Sequence, residues 1–303
     1  MKNFKNILII SFLLFILLQI FINISKIHEI IFFSYKIFID NIVPNLFPFL
    51  VISNILVNYG FVDIISKLFN PIMKKVFNID GAASFVFFMS FLTGFPSNAK
   101  YTKDLLTKNL ISSTSATKIL TFTHFSNPLF IIGNVSLLIS KKAAYTILFA
   151  HFLGNVLIGL LFRNCYIEES NCNLDKKSKL LFGEALSNSV KGTIDTLLLI
   201  YGTMTFFLII SCILSSILNL NQLNNCLMSG IMEFTQGIKY TSLLNIDYKF
   251  KTVLIGMFIS FGGLSVHAQI LSIIANTNIL YKPFFLARII HSFITGFIIY
   301  LII

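Results

Sequence analysis

The stretch ILIISFLLFILLQIFI, residues 7–22, decides the class of fold, because only Ser11 and Gln19 interrupt an apolar run close to the ~20 residues that carry a helix across a bilayer. Lys2 and Lys5 precede it, as charge precedes the apolar core of a signal peptide. Asn23, Ile24, Ser25 and Lys26 follow without a small-residue cleavage site, so the segment reads as a retained transmembrane helix. Comparable runs return at Asn41 to Tyr59, Ile119 to Leu138, Ala143 to Phe162, Leu197 to Leu218 and Pro283 to Ile303. This repetition predicts an all-α polytopic membrane protein, since a helix satisfies its own backbone in lipid.

The rest of the composition agrees. Of 303 residues, 56% are hydrophobic and 12% charged, and the mean hydropathy is +0.84. A soluble domain is nearer a quarter charged. The net charge of +11 comes from 23 Lys and Arg scattered through short loops and helix ends, with no basic block or aromatic-rich binding module, so the expected partner is the lipid bilayer and not nucleic acid. The densest clusters, Lys67, Lys74 and Lys75, then Arg163, Lys176, Lys177 and Lys179, are expected on the cytoplasmic side with the N-terminus. Ile27 to Asp40 and Phe61 to Asn78 mix apolar residues with lysines at helical spacing and read as interfacial helices. Cys165 and Cys172 have no histidine nearby for a zinc site, and Cys212 lies in a span. No Gly-Lys-Ser/Thr phosphate loop, Gly-x-Ser-x-Gly elbow or His-Glu-x-x-His helix occurs. The expectation is a protein without enzymatic activity, cofactor or metal.

Residues 163–179, RNCYIEESNCNLDKKSK, form the one long polar linker, and the chain on either side is alike. A shift of 169 residues pairs Gly94 with Gly263, Ala99 with Ala268 and Asn109-Leu110-Ile111 with Asn278-Ile279-Leu280. The expected organisation is an N-terminal helix over 1–26, a first repeat with a following helix over 27–162, the linker, and a second repeat over 180–303. Each repeat holds a break in an apolar segment. Within a bilayer such a break is tolerated only where protein or a wet cavity satisfies the freed backbone, and paired breaks point to a solute site between inverted repeats. Kinked helices with no ligand are the alternative.

In the first break, Gly94 and Pro96 end one helix, Ser97 or Asn98 caps the next, and Lys100 follows, so a half-helix N-terminus faces the interior and suits an anion. In the second, Gly262 and Gly263 allow close backbone approach, while Ser265, His267 and Gln269 bring polar atoms into an apolar run. His124-Phe125-Ser126-Asn127-Pro128 reads as a discontinuous helix, with Ser126 and Asn127 as polar lining. Met232-Glu233-Phe234-Thr235-Gln236-Gly237 is taken as its counterpart, and a carboxylate at membrane depth is a functional candidate by its cost alone.

The strings SFLTGFPSNAKYTKDLL, FTHFSNPLFIIGNV, IMEFTQGI and FGGLSVHAQ, in this order, resemble the YlbJ or SpoVV family of sporulation integral membrane proteins over roughly Val43 to His291. That family belongs with the nucleoside-recognition, or Gate, domains. The resemblance implies an architecture similar to the core of concentrative nucleoside transporters: two inverted repeats, each with a re-entrant hairpin and a broken transmembrane helix. Gly94, Pro96, Ser97 and Asn98 would form the first hairpin tip, and Gly262, Gly263, Ser265 and His267 the second. Asn127 and Pro128 would mark one broken helix, and Glu233, Gln236 and Gly237 the other. The implied cargo is a small anionic solute, dipicolinate, moved across the outer forespore membrane, with Lys100 and His267 neutralising its carboxylates and Glu233 binding a coupling proton or sodium ion or orienting the site. A nucleoside transporter, a non-transporting sporulation scaffold and assembly as a homo-oligomer remain open alternatives.

Overall fold

The computed structural model describes residues 2–165 and 181–303, so most of the expected linker, with Cys172, Lys176, Lys177 and Lys179, lies outside the described residues. Among the described residues every regular element is helical. Five segments of the described residues are long and apolar enough to cross a bilayer: Ile24–Asn58, Lys141–Leu161, Phe182–Leu218, Tyr248–Ile274 and Tyr281–Ile302. Their outward faces carry large apolar side chains, with Phe32 78% and Leu301 67% exposed. Only lipid makes that surface favourable.

Helix α1 (Lys2–Ile22) leads into α2 (Ile24–Asn58). The apolar stretch Asn6–Ile22 falls just short of the length that defines those five segments. Residues 27–40, expected along the interface, instead form the first part of α2 and pack against the long helix at Phe182–Leu218. Ser34 and Thr205 share a hydrogen bond of 2.9 Å, and the rings of Phe38 and Tyr201 lie 4.9 Å apart. The correction has a simple cause, because Lys36 stays exposed while the residues facing the neighbouring helix are apolar or hydroxylic. A π-turn at Phe38–Ile42 interrupts α2. Helix α3 (Phe61–Ile72) buries Val62 and leaves Lys67 exposed, as an amphipathic helix should.

Eight short helices follow in two sets of four. The first comprises α4 (Ala83–Thr93), α5 (Ser97–Thr107), α6 (Ser113–Phe122) and α7 (Pro128–Leu138), then the full-length α8 (Lys141–Leu161). After α9 (Phe182–Leu218) come α10 (Gln222–Met232), α11 (Phe234–Leu243), α12 (Tyr248–Phe261), α13 (Gly263–Ile274) and the full-length α14 (Tyr281–Ile302). Helices α4, α5 and α10 have 11 residues each and α11 has 10. At 1.5 Å per residue each arm is about 16 Å long, roughly half of a ~30 Å hydrocarbon core.

Two of these pairs fold back on themselves. Phe85 on α4 meets Tyr101 on α5 with ring centroids 5.6 Å apart. Cys226 on α10 meets Thr241 on α11 at 3.1 Å. The second hairpin therefore turns at Glu233, not at Gly262. The pair α12 and α13 runs end to end as the spanning segment Tyr248–Ile274, interrupted at Gly262, whose φ of +86° redirects the chain without reversing it. Hairpin and broken helix are thus exchanged in the second half relative to the sequence expectation. Gly230 and Gly237 explain the hairpin, since a Cβ on Gly237 would lie 2.3 Å from the Gly230 Cα. Only two glycines let the arms come so close. The expected span Ile119 to Leu138 is likewise two half-helices, α6 and α7.

Helices α8, α12 and α14 pack together around small residues. A Cβ on Gly256 would sit 2.2 Å from Ile299 Cδ1, and one on Gly154 would sit 2.6 Å from the His291 ring.

Candidate functional site: a cavity where four breaks meet

The backbone between α6 and α7, residues 123–127, is non-helical, so its polar groups need partners that a helix would have supplied. Phe95 N–H donates to Phe125 O at 2.7 Å. Ser126 N–H donates to His151 Nε2 at 2.9 Å, and Asn155 Nδ2 donates to His124 O at 2.9 Å. The Asn127 side chain works in both directions. Its Oδ1 caps α7 through Leu129 N–H at 2.7 Å, while Nδ2 donates to Leu92 O and Thr93 O at the end of α4, at 3.3 and 3.4 Å. The first hairpin tip and the first break are thereby one unit. Gly94 makes the approach possible, because a Cβ there would lie 2.6 Å from Asn127 N.

In the second half the same contact is made with the roles reversed. Glu233 stands at the hairpin tip and Gly263 at the break, where a Cβ would lie 3.0 Å from Phe234 N and 3.2 Å from Glu233 Cα. Three donors converge on the buried carboxyl group: Thr235 N–H at 3.1 Å, Thr235 Oγ1 at 3.0 Å, and Ser265 Oγ from α13. Glu233 is therefore both the N-cap of α11 and the link between hairpin and broken helix.

All four interrupted elements border one cavity of about 70 Å³, several times the volume that one water requires. Thr93, Phe95 and Pro96 come from the first tip, and Ser126, Asn127 and Phe130 from the first break. Glu233, Phe234 and Thr235 come from the second tip, and Val266 and Gln269 from the second break. The π-turn of α2 and the helical turn that follows it bring Asn41 and Asn45 to the same space, which Ile200 and Met204 of α9 also line. Glu233 is the sole ionisable side chain in this lining.

Of the residues singled out in the sequence, Pro96, Ser126, Asn127, Glu233 and Gln269 line the cavity, and Gly94, Gly263 and Ser265 hold its walls together. The others lie elsewhere. Lys100 spends its ammonium on α9, donating to Gly192 O at 2.7 Å and Thr196 Oγ1 at 3.1 Å. His267 pairs its Nδ1 with Tyr281 OH at 2.8 Å among aromatic rings. Gly262 faces His124 Nε2, 3.1 Å from where its Cβ would be. Gln236 points out of the cavity, its Nε2 donating to Tyr240 OH at 3.0 Å. Ser97 and Asn98 are buried in the first turn of α5 with no partner for Ser97 Oγ or either Asn98 amide atom.

Sequence reasoning missed a polar network behind the cavity. Arg288 on α14 is fully buried and donates to Asn155 Oδ1 at 3.2 Å, to His291 Nδ1 at 2.8 Å and to Thr121 O. It therefore caps the carbonyl end of α6, where the helix dipole favours a cation. Both histidines are assigned tautomers by their partners. His151 accepts at Nε2 and so donates from Nδ1 to Ser260 Oγ at 2.9 Å. His291 donates from Nε2 to His151 O at 2.9 Å, leaving Nδ1 as the acceptor for Arg288. One signal was present in the sequence: an arginine inside an apolar span is rarely idle.

The second hairpin gives a prediction of its own. Gly237→Ala forces a methyl against the Gly230 backbone, which has no flexible end to yield, so the protein should lose about 1–3 kcal/mol. Gly202→Ala, at a site with open space, should lose almost nothing. Thermal unfolding of both purified variants in detergent checks this; equal midpoints would mean that the arms do not cross at the two glycines.

Comparisons with known proteins agree with this architecture in class. Residues 39–149 match the Gate family, described as nucleoside recognition. The chain is 29% identical over 332 aligned positions to the sporulation integral membrane protein YlbJ of Bacillus subtilis, an alignment covering 96% of this chain and 81% of that relative. No solved structure matches it.

Proposed function

We propose, on the premise that this chain belongs to the YlbJ family of sporulation integral membrane proteins, that it moves a small solute across a membrane during sporulation and binds that solute in the four-break cavity. One observation carries the reading: four interrupted elements, drawn from both halves of the chain, end at a single buried space. Interrupted helices are costly in lipid, and their convergence is what a transporter's solute site requires.

We read α4–α8 and α10–α14 as two repeats, each a hairpin, a broken helix and a whole helix. The broken helix and α8 cross once each and α9 crosses once, three crossings before the second hairpin begins, so the repeats are inverted. Alternating access would then carry the cavity between the two faces. The membrane concerned is the outer forespore membrane if the solute is dipicolinate.

Dipicolinate would be held in the cavity as a planar molecule by amide donors from Asn41, Asn45 and Gln269 and the Ser126 hydroxyl, with Phe95 or Phe234 against its ring. Lys100 and His267 do not reach it, so a proton or sodium ion at Glu233 would remove the repulsion from that carboxylate, and the solute's own charge would have to be met by further accompanying cations. A second reading, a neutral nucleoside-like solute, is favoured by the absence, among the described residues, of any cationic side chain from the cavity lining. The test is accumulation of labelled dipicolinate, in competition with nucleosides, in vesicles containing only this protein. Accumulation of neither would remove transport by this chain alone and leave the scaffold reading.

A graded result should accompany it. Gln269→Ala, at the cavity, should lower initial uptake at least about tenfold at matched abundance, the effect of one lost hydrogen bond of ~1.4 kcal/mol. His267→Ala and Asn98→Ala, behind it, should lower uptake less. The reverse order would move the solute site toward His267.

A further inference from the structure

The cavity is small for a solute that carries a ring. At about 70 Å³ it has less than half of the ~150 Å³ of a cavity that takes up benzene. A ring-bearing solute therefore needs a wall that yields. Much of the wall is pinned, since Asn127 holds the end of α4 and Glu233 holds Thr235 and Ser265. Phe95 is not: its ring is half-buried, and rotating the side chain leaves its backbone bond to Phe125 O in place.

Behind Phe95 the hydrogen bonding is incomplete. The ring is stacked on His124, with centroids 4.4 Å apart and an interplanar angle of 7°. His124 is fully buried, and among the described residues neither of its ring nitrogens has a partner. A neutral imidazole carries one donor and one acceptor, so both go unmet in a side chain that packs here as a phenyl ring would. Arg288 stands beyond it. The Phe284 ring touches both, 5.2 Å from the His124 ring and 5.5 Å from the guanidinium carbon. Asn155 bonds to both, donating to His124 O and accepting from Arg288 Nη1. The three acceptors that Arg288 meets are neutral, and its Nε has none among the described residues. Phe95 thus screens the cavity from a positive charge and from hydrogen-bonding atoms that nothing uses.

We propose that Phe95 is a plug: its ring fills the seat of a planar, carboxylate-bearing aromatic solute, which displaces it, stacks on His124 in its place and turns a carboxylate toward His124 and the Arg288 charge beyond. Displacement by a solute rests on the transport reading above. Ring replaces ring, so the stack is kept, while the carboxylate gives the imidazole donor the acceptor that Phe95 lacks. A fixed cation also takes over part of the charge that would otherwise have to travel with the solute. A neutral ring gains nothing from Arg288, and the seat thereby discriminates by charge.

Equilibrium dialysis of labelled dipicolinate and of labelled benzoate against the purified full chain is the test. Phe95→Ala vacates the seat and should bind both anions at least about fivefold more tightly than the wild type, whereas truncating a ring that merely touched the solute would weaken binding. Phe95→Leu, a milder change for the fold, should shift affinity in the same direction by less. His124→Phe keeps the stack and deletes both nitrogens. In the Phe95→Ala background it should weaken anion binding at least about tenfold, with the thermal midpoint unchanged or raised, because no satisfied hydrogen bond is lost. Anion binding no tighter in the Phe95 variants, binding indifferent to His124→Phe, or binding lost together with a lowered midpoint would each overturn the proposal. Tighter binding by Phe95→Ala in a chain whose wild type accumulates no solute in vesicles would overturn the transport reading and leave the plug standing; accumulation by the wild type with no gain in Phe95→Ala would do the reverse.

Discussion

Gly94→Ala should abolish solute uptake, with a loss of more than about a hundredfold at matched membrane abundance, or should fail to give folded protein at all. Gly94 has φ +81° and ψ 175°, a region that essentially only glycine occupies and that costs another residue roughly 1–3 kcal/mol. The added methyl would also meet Asn127 N at 2.6 Å and Asn127 Cα at 3.1 Å, backbone that cannot swing aside. Relief requires the first hairpin tip to withdraw from the first break, which breaks the Phe95 N–H to Phe125 O bond and both contacts from Asn127 Nδ2. The cavity then loses one wall. Gly133→Ala, with nothing within 4 Å, is the control. Uptake and thermal unfolding measured together decide it: near-normal values for Gly94→Ala would show that tip and break need not touch.

Glu233 carries the second large effect. Glu233→Ala removes the N-cap of α11, worth about 0.5–2 kcal/mol, and leaves Ser265 without its acceptor; uptake should fall at least about a hundredfold. Glu233→Gln keeps the size and one acceptor oxygen but cannot exchange a charge. It should retain the fold and bind solute while uptake ceases to respond to imposed pH or sodium gradients. Hydrogen bonds to a charged group are worth about 1.5–3 kcal/mol, so Ser265→Ala should cost the wild type more than it costs Glu233→Gln, a coupling that a double-mutant cycle reads. Identical gradient responses in wild type and Glu233→Gln would remove the carboxylate from coupling. Additive losses would mean that the Ser265 bond has no energetic weight.

The class of fold was legible because hydropathy needs no partner to be read: 7–22 and 197–218 announce helices in lipid wherever they pack. The break at Asn127–Pro128 was legible for a similar reason, since proline states its effect locally. The second half was read with hairpin and broken helix exchanged. Two adjacent glycines at 262–263 looked like a tip, whereas the tip is made by Glu233 with Gly230 and Gly237 on either side. Those glycines signal a hairpin only once one asks what they approach. Lys100 was assigned to the cavity for its charge, yet its partner is Gly192, 92 residues on, and no local pattern encodes that pairing. Arg288 was passed over although its charge inside an apolar span was visible.

One residue, Glu233, is the whole connection between α10 and α11. Seat and pivot therefore coincide. If one arm of that hairpin rotates against the other, the carboxylate turns with the axle, and its grip on Ser265 and Thr235 changes in the same movement. A change in what the carboxylate holds is, conversely, a torque on the arms. Chemistry at this position needs no relay of side chains to become motion, because the atoms that sense the occupant belong to the joint itself.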